Sequence, residues 1–121
     1  MKSFKVLVCG GRDYNDYRHV RKVLNRLHEA VRLSGKVLVI IHGNARGADL
    51  LADTYARDEQ IEVLSFPANW DLYGKRAGFI RNKQMLDVGK PDLIIAFPGG
   101  RGTDMMCEIA EKAGVPVRRY K

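Results

Sequence analysis

Short apolar runs alternate with segments of helical spacing along the whole chain, and this alternation constrains the fold more than any other feature. The runs at 6–9, 37–41 and 93–97 are continuously apolar, which is typical of strands buried on both faces of a parallel sheet. Such strands need helices on both sides of the sheet. The predicted strands are Lys5 to Cys9, Lys36 to His42, Glu62 to Phe66, Leu93 to Phe97 and Pro116 to Arg118.

The segments between the strands carry residues at the spacing of one helix face. Right-handed crossovers through these helices place the strands in an order near 3-2-1-4-5, with the switch point between strands one and four. The sequence therefore predicts an α/β fold, a single Rossmann-like three-layer domain over residues 1–121 with a parallel sheet of about five strands. The predicted inward residues are Val20, Val23, Leu24, Leu27 and Val31, then Leu50, Leu51, Thr54 and Tyr55, then Phe79, Ile80, Lys83, Gln84 and Leu86, and finally Met105, Met106, Ile109 and Ala113.

Length and composition limit the classes of protein to which the chain can belong. The 121 residues suffice for one core but not for two, and 45% apolar with 29% charged residues favours an ordered fold. The longest apolar runs have five residues, too few to cross a bilayer, and Val6 to Cys9 is too short for a secretory signal. Cys9 and Cys107 show neither a disulfide framework nor metal-ligand spacing and are expected in the core. We expect a cytoplasmic protein without a metal, a cofactor or a membrane partner.

Three glycine-rich turns follow strands one, two and four, and each contains an arginine and an aspartate. Because the carboxyl ends of parallel strands meet at one edge of the sheet, these turns are expected to form one ligand-binding crevice. The predicted contact residues are Gly10, Gly11, Arg12 and Asp13 in the first turn, Gly43, Asn44, Arg46, Gly47, Ala48 and Asp49 in the second, and Pro98, Gly99, Gly100, Arg101, Gly102 and Thr103 in the third.

The third turn is typical of a phosphate site. Its glycines let the backbone approach a ligand without an intervening Cβ, and the N–H groups that open the next helix converge on anionic oxygen. Thr103 and Asp104 are predicted to cap this helix, with Arg101 supplying charged donors beside it. The alternative is a helix start that only needs a tight turn.

The second turn opens another helix, whose N-terminus can take up a second anionic or hydroxyl group. Gly43 and Gly47 enclose its central residues, and Asp49 lies in the first helical turn. Asp49 either accepts hydrogen bonds from ribose hydroxyls or only complements the helix dipole. The spacing matches neither G-x-G-x-x-G nor G-x-x-x-x-G-K-[ST], which disfavours a standard nicotinamide site and a Walker-type triphosphatase.

Two further segments carry candidate side chains. Trp70, the only tryptophan, lies in residues 66–75, predicted to be an irregular loop, and either stacks on a base or covers an end of the core. Arg81 and Asn82, on the helix before strand four, either reach a phosphate or sugar or form an exposed face. His42 ends an apolar strand and is expected to be a hydrogen-bonded, partly buried histidine rather than a base.

With these motifs in view, the chain resembles the SLOG superfamily of Rossmann-like nucleotide-binding proteins, specifically its YspA-like branch, which is related to YpsA. The resemblance covers nearly the whole chain. The superfamily also includes the LOG phosphoribohydrolases, which release a base from a nucleoside monophosphate, sensor domains for NAD-derived nucleotides, and DNA-processing proteins that bind single strands. The motifs are Val-Cys-Gly-Gly-Arg-Asp-Tyr at 8–14, His-Gly-Asn-Ala-Arg-Gly-Ala-Asp-Leu-Leu-Ala at 42–52, Ala-Gly-Phe-Ile-Arg-Asn at 77–82 and Ala-Phe-Pro-Gly-Gly-Arg-Gly-Thr at 96–103.

The resemblance to the LOG enzymes carries over only in part. Their motif is Pro-Gly-Gly-x-Gly-Thr-x-x-Glu, in which the glutamate and an upstream arginine serve catalysis, and it implies that Arg81 corresponds to that arginine. Met106 stands where the motif has glutamate, and Glu108 lies about 200° further around the helix, so it is expected to face away. Asp104 is the candidate substitute, with Asp49 or Asp13 as further choices, although the motif places none of them.

Together these features favour a domain that binds a nucleotide or nucleotide-derived ligand as a sensor or sequestering protein, with phosphate and ribose held by the glycine-rich turns. Two alternatives stay open. One is a phosphoribohydrolase-like N-glycosidic hydrolase acting on nucleoside monophosphates, and the other is single-stranded nucleic-acid binding, which suits the net charge of +7. The expected partners are a nucleotide-like small molecule and further copies of the chain, in a homodimer or higher homo-oligomer.

Overall fold

The computed structural model of the chain describes residues 2–121 and contains a five-stranded sheet. Its strand pairings are parallel and its order is β3-β2-β1-β4-β5, which confirms the predicted fold class and strand order. Strand bounds differ from the predicted ones by only one or two residues at an end. The strands are β1 Ser3–Cys9, β2 Val37–His42, β3 Glu62–Ser65, β4 Leu93–Ala96 and β5 Val117–Arg119.

Helices connect each strand to the next. The first begins where the Asp16 side chain accepts a hydrogen bond from the His19 N–H at 3.1 Å, and it ends before Gly35, whose φ of +79° is typical of a helix end. No helix within residues 2–121 is long and apolar enough to cross a membrane. The helices are α1 Tyr17–Leu33, α2 Ala48–Asp58, α3 Trp70–Tyr73, α4 Ala77–Asp87 and α5 Arg101–Lys112, and a 3₁₀ turn at Gly74–Arg76 joins α3 to α4.

Each face of the sheet packs against its own pair of helices. Along β1, Val6 and Val8 pack with α1 and α2, whereas Leu7 and Cys9 pack with α4 and α5. Because both faces are covered, the central strands are apolar at successive positions. Cys107 of α5 is buried in the same cluster as Cys9, so the prediction that both cysteines lie in the core is confirmed.

The predicted inward faces of α2 and α4 are wrong in part. On α4, Phe79 is 53% exposed and the polar residue Asn82 is buried. On α2, the small residue Ala52 is fully buried while Leu50 is exposed. Besides large residues such as Tyr55 and Leu86, both helices bury small or polar residues, which a search for large apolar residues does not detect. The predicted inward residues that are exposed are Leu50, Thr54, Phe79, Lys83, Gln84 and Ala113.

Two predictions about loops and caps are also wrong. Residues 66–75 are not wholly irregular, because the Asn69 side chain accepts a hydrogen bond from the Leu72 N–H at 3.0 Å and caps the single turn of α3. The N-cap of α5 is Gly100, without a capping side chain, rather than Thr103 or Asp104. Thr103 is instead the third helical residue and is buried.

Candidate functional site

The three glycine-rich turns meet at the carboxyl edge of the sheet and are joined through the first of them. The Gly11 N–H donates to the Pro98 carbonyl oxygen at 2.8 Å, and the Gly11 carbonyl accepts from the Ala48 N–H at 3.2 Å. The turn after β1 is therefore bonded to the turns after β2 and β4. This arrangement sets the N-termini of α2 and α5 on either side of the end of β1.

Close approach of the backbones explains the glycines at two of these positions. Gly47 has φ +84°, and a Cβ there would collide with the Gly11 carbonyl and with Arg12. A Cβ on Gly10 would lie 2.6 Å from the Cβ of Ala48, closer than such atoms approach in proteins. A larger residue at either position would force the turns apart, so these glycines fix the width of the crevice.

Arg81 and Asn82 link the second and third turns. Arg81 Nη1 donates to the Gly43 carbonyl at 2.6 Å and its Nε donates to Asn82 Oδ1 at 2.9 Å. Asn82 Nδ2 in turn donates to the Gly102 carbonyl at 3.2 Å. Arg81 Nη2 has no hydrogen-bond partner within residues 2–121, and the residue lines the crevice. Burial lowers the pKa of Arg81, while the charge of Asp49 opposes that shift.

Asp49 holds the second turn in its closed shape. The residue is only 7% exposed, and its Oδ2 accepts hydrogen bonds from the Gly43 N–H at 3.1 Å and the Ala45 N–H at 3.3 Å. Burial raises the pKa of this carboxyl, and the backbone hydrogen bonds partly offset the shift. Beside the two roles predicted for it, Asp49 thus has a third, as the acceptor that organises the turn.

His42 is fully buried and bonded through both ring nitrogens. Its Nδ1 accepts from the Asn44 N–H at 3.0 Å, so Nε2 carries the proton and donates to Asp53 Oδ1 at 2.8 Å. Arg57 in turn pairs with Asp53 at 2.7 Å. His42 therefore holds the backbone of the second turn through the Asn44 N–H. This agrees with the prediction of a hydrogen-bonded histidine rather than a base.

Two adjoining cavities occupy the crevice. The first, of about 430 Å³, lies against the start of α5 and is called here the α5 chamber; Gly100, Gly102 and Thr103 line it. The second, of about 480 Å³, lies beyond the end of β2 and is called the β2 chamber; residues 43–46 line it. The residues shared by both chambers are Arg12, Ala45, Trp70 and Arg81.

Arg12 and Trp70 form the partition between the chambers. The guanidinium carbon of Arg12 lies 5.5 Å from the centroid of the Trp70 ring, within the range of a cation–π contact. Trp70 is 48% exposed, so it does not cover the core. Of the two roles predicted for this side chain, the geometry favours contact with a ligand.

The chambers differ in character. Phe79, Met85, Met105 and Met106 give the α5 chamber an apolar floor. Sequence reasoning assigned three of these to the core or to an inward helix face, because an apolar residue that lines a cavity has the same spacing as one that fills a core. The β2 chamber is bounded by the turn at residues 43–46 and is more polar. The crevice therefore offers an apolar surface and backbone donors side by side.

Most of the predicted contact residues line one of the chambers. Gly10, Gly11, Arg12, Asp49, Trp70, Arg81, Asn82, Gly100, Gly102 and Thr103 line the α5 chamber, and Gly43, Asn44 and Arg46 line the β2 chamber. The predicted residues that line neither are Asp13, Gly47, Ala48, Pro98, Gly99, Arg101 and Asp104.

Carboxylates are sparse in the crevice. Among residues 2–121, Asp49 is the only residue with a carboxylate that lines either chamber. Asp104 lies at the surface and pairs with Arg119 at 2.9 Å, and Asp13 lies 3.4 Å from Arg46. Met106 is buried and lines the α5 chamber, and Glu108 is exposed elsewhere on α5, as expected.

Comparison with known proteins places the chain in a family. A model of the YspA, cpYpsA-related SLOG family matches residues 4–73, a segment that includes the first two turns and Trp70. The chain is also similar to the Gene 61 protein of Mycobacterium phage D29, with 39% identity over 123 residues that cover 96% of this chain and 95% of that protein. The chain therefore belongs to the YspA, cpYpsA-related SLOG family, as its sequence motifs predicted.

Proposed function

We propose that the chain binds a nucleotide or nucleotide-derived ligand in the crevice, as a sensor or sequestering domain. Membership of the SLOG family points to a nucleotide-related ligand in general. The finer proposal rests on one observation: an uncapped helix N-terminus, the Arg81 guanidinium and an apolar floor converge on the α5 chamber. These elements suit the phosphate, the ribose and the base of a nucleotide.

The N-terminus of α5 supports a position for the phosphate. Gly100 opens the helix without a side-chain cap, so the N–H groups of Arg101 and Gly102 lack acceptors within the helix. Together with the helix dipole, these donors favour an anion. The start of α1 is different, because Asp16 there fills the same role with its own carboxylate. Arg81, which also lines the chamber, adds a positive charge.

The rest of the crevice suits a base and a sugar. A phosphate at α5 leaves Phe79 and Met105 free to contact a flat aromatic base, for which ring and thioether surfaces are well suited. Trp70 supplies a further stacking surface at the partition. The β2 chamber has room for a second phosphate or ribose, which makes ADP-ribose and cyclic dinucleotides reasonable ligands beside mononucleotides.

The geometry favours retention of the ligand over cleavage. Hydrolysis of an N-glycosidic bond passes through an oxocarbenium-like state that a nearby carboxylate stabilises, by analogy with glycoside hydrolysis. Met106 provides no such group, and Oδ2 of Asp49 is engaged by two backbone donors. A binding role therefore needs fewer assumptions than a hydrolytic one.

The test is titration calorimetry with nucleoside monophosphates, ADP-ribose and cyclic dinucleotides. We expect at least one of them to bind, and Arg12→Ala to weaken its binding about tenfold, a loss of roughly 1.4 kcal/mol. Arg18→Ala, which removes an exposed charge of α1 outside the crevice, is the matched control. Absence of binding by every ligand would overturn the proposal. Release of free base from a monophosphate, detected by chromatography, would replace binding alone with hydrolysis.

A further inference from the structure

A groove of about 600 Å³ runs along α1, on the side of the sheet opposite α5, and shares no residue with the two chambers. Helix α1 lines it with His19, Val23, Leu27 and Ala30, and its C-cap residue Ser34 continues the row. These residues recur at intervals of three and four, so they form one stripe that extends about 22 Å along the helix axis. Val23 and Leu27 pack mainly against the sheet, so a second helix would meet the outer edge of this stripe, where Ala30 and Ser34 are exposed.

The floor of this groove is the sheet. Ile95 of β4, Phe4 of β1 and Tyr120 after β5 form it. On the other face, β5 is covered by α5. On the α1 side, no second helix within residues 2–121 lies over β4 and β5. The layer of helices on this face is therefore incomplete beside α1, and a further helix lying parallel to it would complete the layer.

The positive charge of the groove indicates which kind of partner helix could bind there. Lys22, Arg26, Lys36 and Arg118 line it, and none of them forms a salt bridge with any residue from 2 to 121. No acidic residue in that part of the chain lines it. A second copy of the chain, with a net charge of +7, would bring these cations against further cations. Charge complementarity instead requires an acidic occupant.

We infer that the groove along α1 docks an acidic amphipathic helix of a partner protein. The apolar side of that helix contacts Phe4, Ala30 and Tyr120, which present accessible surface above the fully buried Ile95. Its acidic flanks face Arg26 and Arg118. Ala30 and Ser34 are small, which lets the two helix backbones come close. The length of the stripe matches about 15 residues of helix, and recognition by an apolar stripe with charged flanks is an established mode of helix binding.

The test is selection from a displayed library of helical peptides of about 15 residues, with the full chain as bait. We expect enriched peptides to be acidic, with apolar residues at intervals of three and four. Binding of a fluorescent enriched peptide, followed by anisotropy, should weaken with added salt. It should weaken at least about tenfold when Lys22→Glu and Arg26→Glu are combined.

Two further variants test whether peptide binding depends on the groove itself. Arg18→Glu with Arg21→Glu makes the same change of charge on exposed residues of α1 outside the groove and should leave peptide affinity within about threefold. Ala30→Trp fills the groove without changing the charge and should abolish binding. Circular dichroism and melting temperature report whether each variant is folded.

Three outcomes would overturn the inference. They are enrichment of basic or non-helical peptides, equal weakening by the groove and control charge variants, and failure to enrich any peptide over the Ala30→Trp protein. Self-association in sedimentation that Ala30→Trp abolishes would instead assign the groove to a second copy of the chain.

Discussion

Arg81 donates a hydrogen bond from Nη1 to the carbonyl oxygen of Gly43 at 2.6 Å, and this contact ties α4 to the turn after β2. The neighbouring Asn82 continues the connection to Gly102 on α5. A single pair of adjacent side chains thus spans the crevice from the second turn to the third. The residue proposed to contact phosphate also sets the distance between the turns that would hold the ligand, so its effects on stability and on binding are coupled.

Arg81→Ala is expected to lower the free energy of unfolding by about 2–3 kcal/mol. The substitution leaves the Gly43 carbonyl and the Asn82 side chain without a charged donor in a half-buried setting, and hydrogen bonds to charged groups contribute more than neutral ones. Urea denaturation measures the loss. Lys83→Ala, on the same helix, breaks only an exposed pair with Asp87 and should cost about 0.5 kcal/mol or less. Equal losses in the two variants would contradict the linking role of Arg81.

Gly47→Ala should destabilise the protein by at least about 1 kcal/mol more than Gly35→Ala. Both glycines have a positive φ, +84° and +79°, but Gly47 combines it with ψ −132°, outside the regions open to alanine, so the substitution there costs backbone strain as well as a clash. Around Gly35 nothing lies within 4 Å of the added Cβ, whereas at Gly47 it would meet the Gly11 carbonyl. The difference between the two variants in chemical denaturation therefore measures the backbone strain at Gly47 and its clash with the first turn together. Equal effects would mean that neither the clash with Gly11 nor the backbone conformation of Gly47 adds to the cost of a positive φ.

The strand order and the position of the crevice were predictable because both depend on patterns that can be read along the sequence. Continuous apolar runs identify buried parallel strands, and right-handed crossovers then leave few orders open. The glycines at 10 and 47 were predicted as ligand contacts, and the structure shows a packing reason for both, because a Cβ at either would clash with a neighbouring turn. Sequence spacing does not distinguish these two causes.

The errors have a physical origin in side chains whose partners are distant in sequence. Asn82 is buried because it bonds to the Gly102 carbonyl, twenty residues away, and no local periodicity reports such a bond. With Asn82 facing inward, Phe79 lies on the exposed side of α4 and lines the α5 chamber. The cap of α5 was misplaced for a related reason. A threonine followed by an aspartate is a favourable cap, but Thr103 lies one turn further on and is buried.

Asp49→Asn should change the dependence of stability on pH. Burial raises the pKa of Asp49 above its ordinary value of 3.8, so the folded protein holds this proton more tightly than the unfolded chain does. The contribution of the carboxyl to stability is therefore fully present below pH 3.8 and declines as the pH rises through the raised folded pKa.

The measurement is urea denaturation of both proteins at several pH values between 3.8 and neutrality. The unfolding free energy of the natural protein minus that of the variant should fall as the pH rises from 3.8 and then level off above the folded pKa. A difference that instead grows with pH would mean that the hydrogen bonds from Gly43 and Ala45 outweigh burial.

Trp70→Ala should weaken ligand binding with little effect on stability. If the exposed ring stacks on a base, its removal costs about 1–3 kcal/mol of binding, roughly a five- to hundredfold loss of affinity. The unfolding free energy should change by no more than about 0.5 kcal/mol, because the ring lies outside the core. Leu72→Ala is the matched control, since Leu72 belongs to the same short helix, is more exposed and lines neither chamber.

Because Trp70 is the only tryptophan, its fluorescence also reports directly on the partition between the chambers. A ligand that stacks on the ring or displaces Arg12 from it should shift or quench the emission, in proportion to the occupancy measured by calorimetry. Arg12→Ala should alter the emission of the free protein, since the cation lies 5.5 Å from the ring centroid. A ligand that binds tightly without changing the emission, and with equal affinity for Trp70→Ala, would place the site away from the crevice.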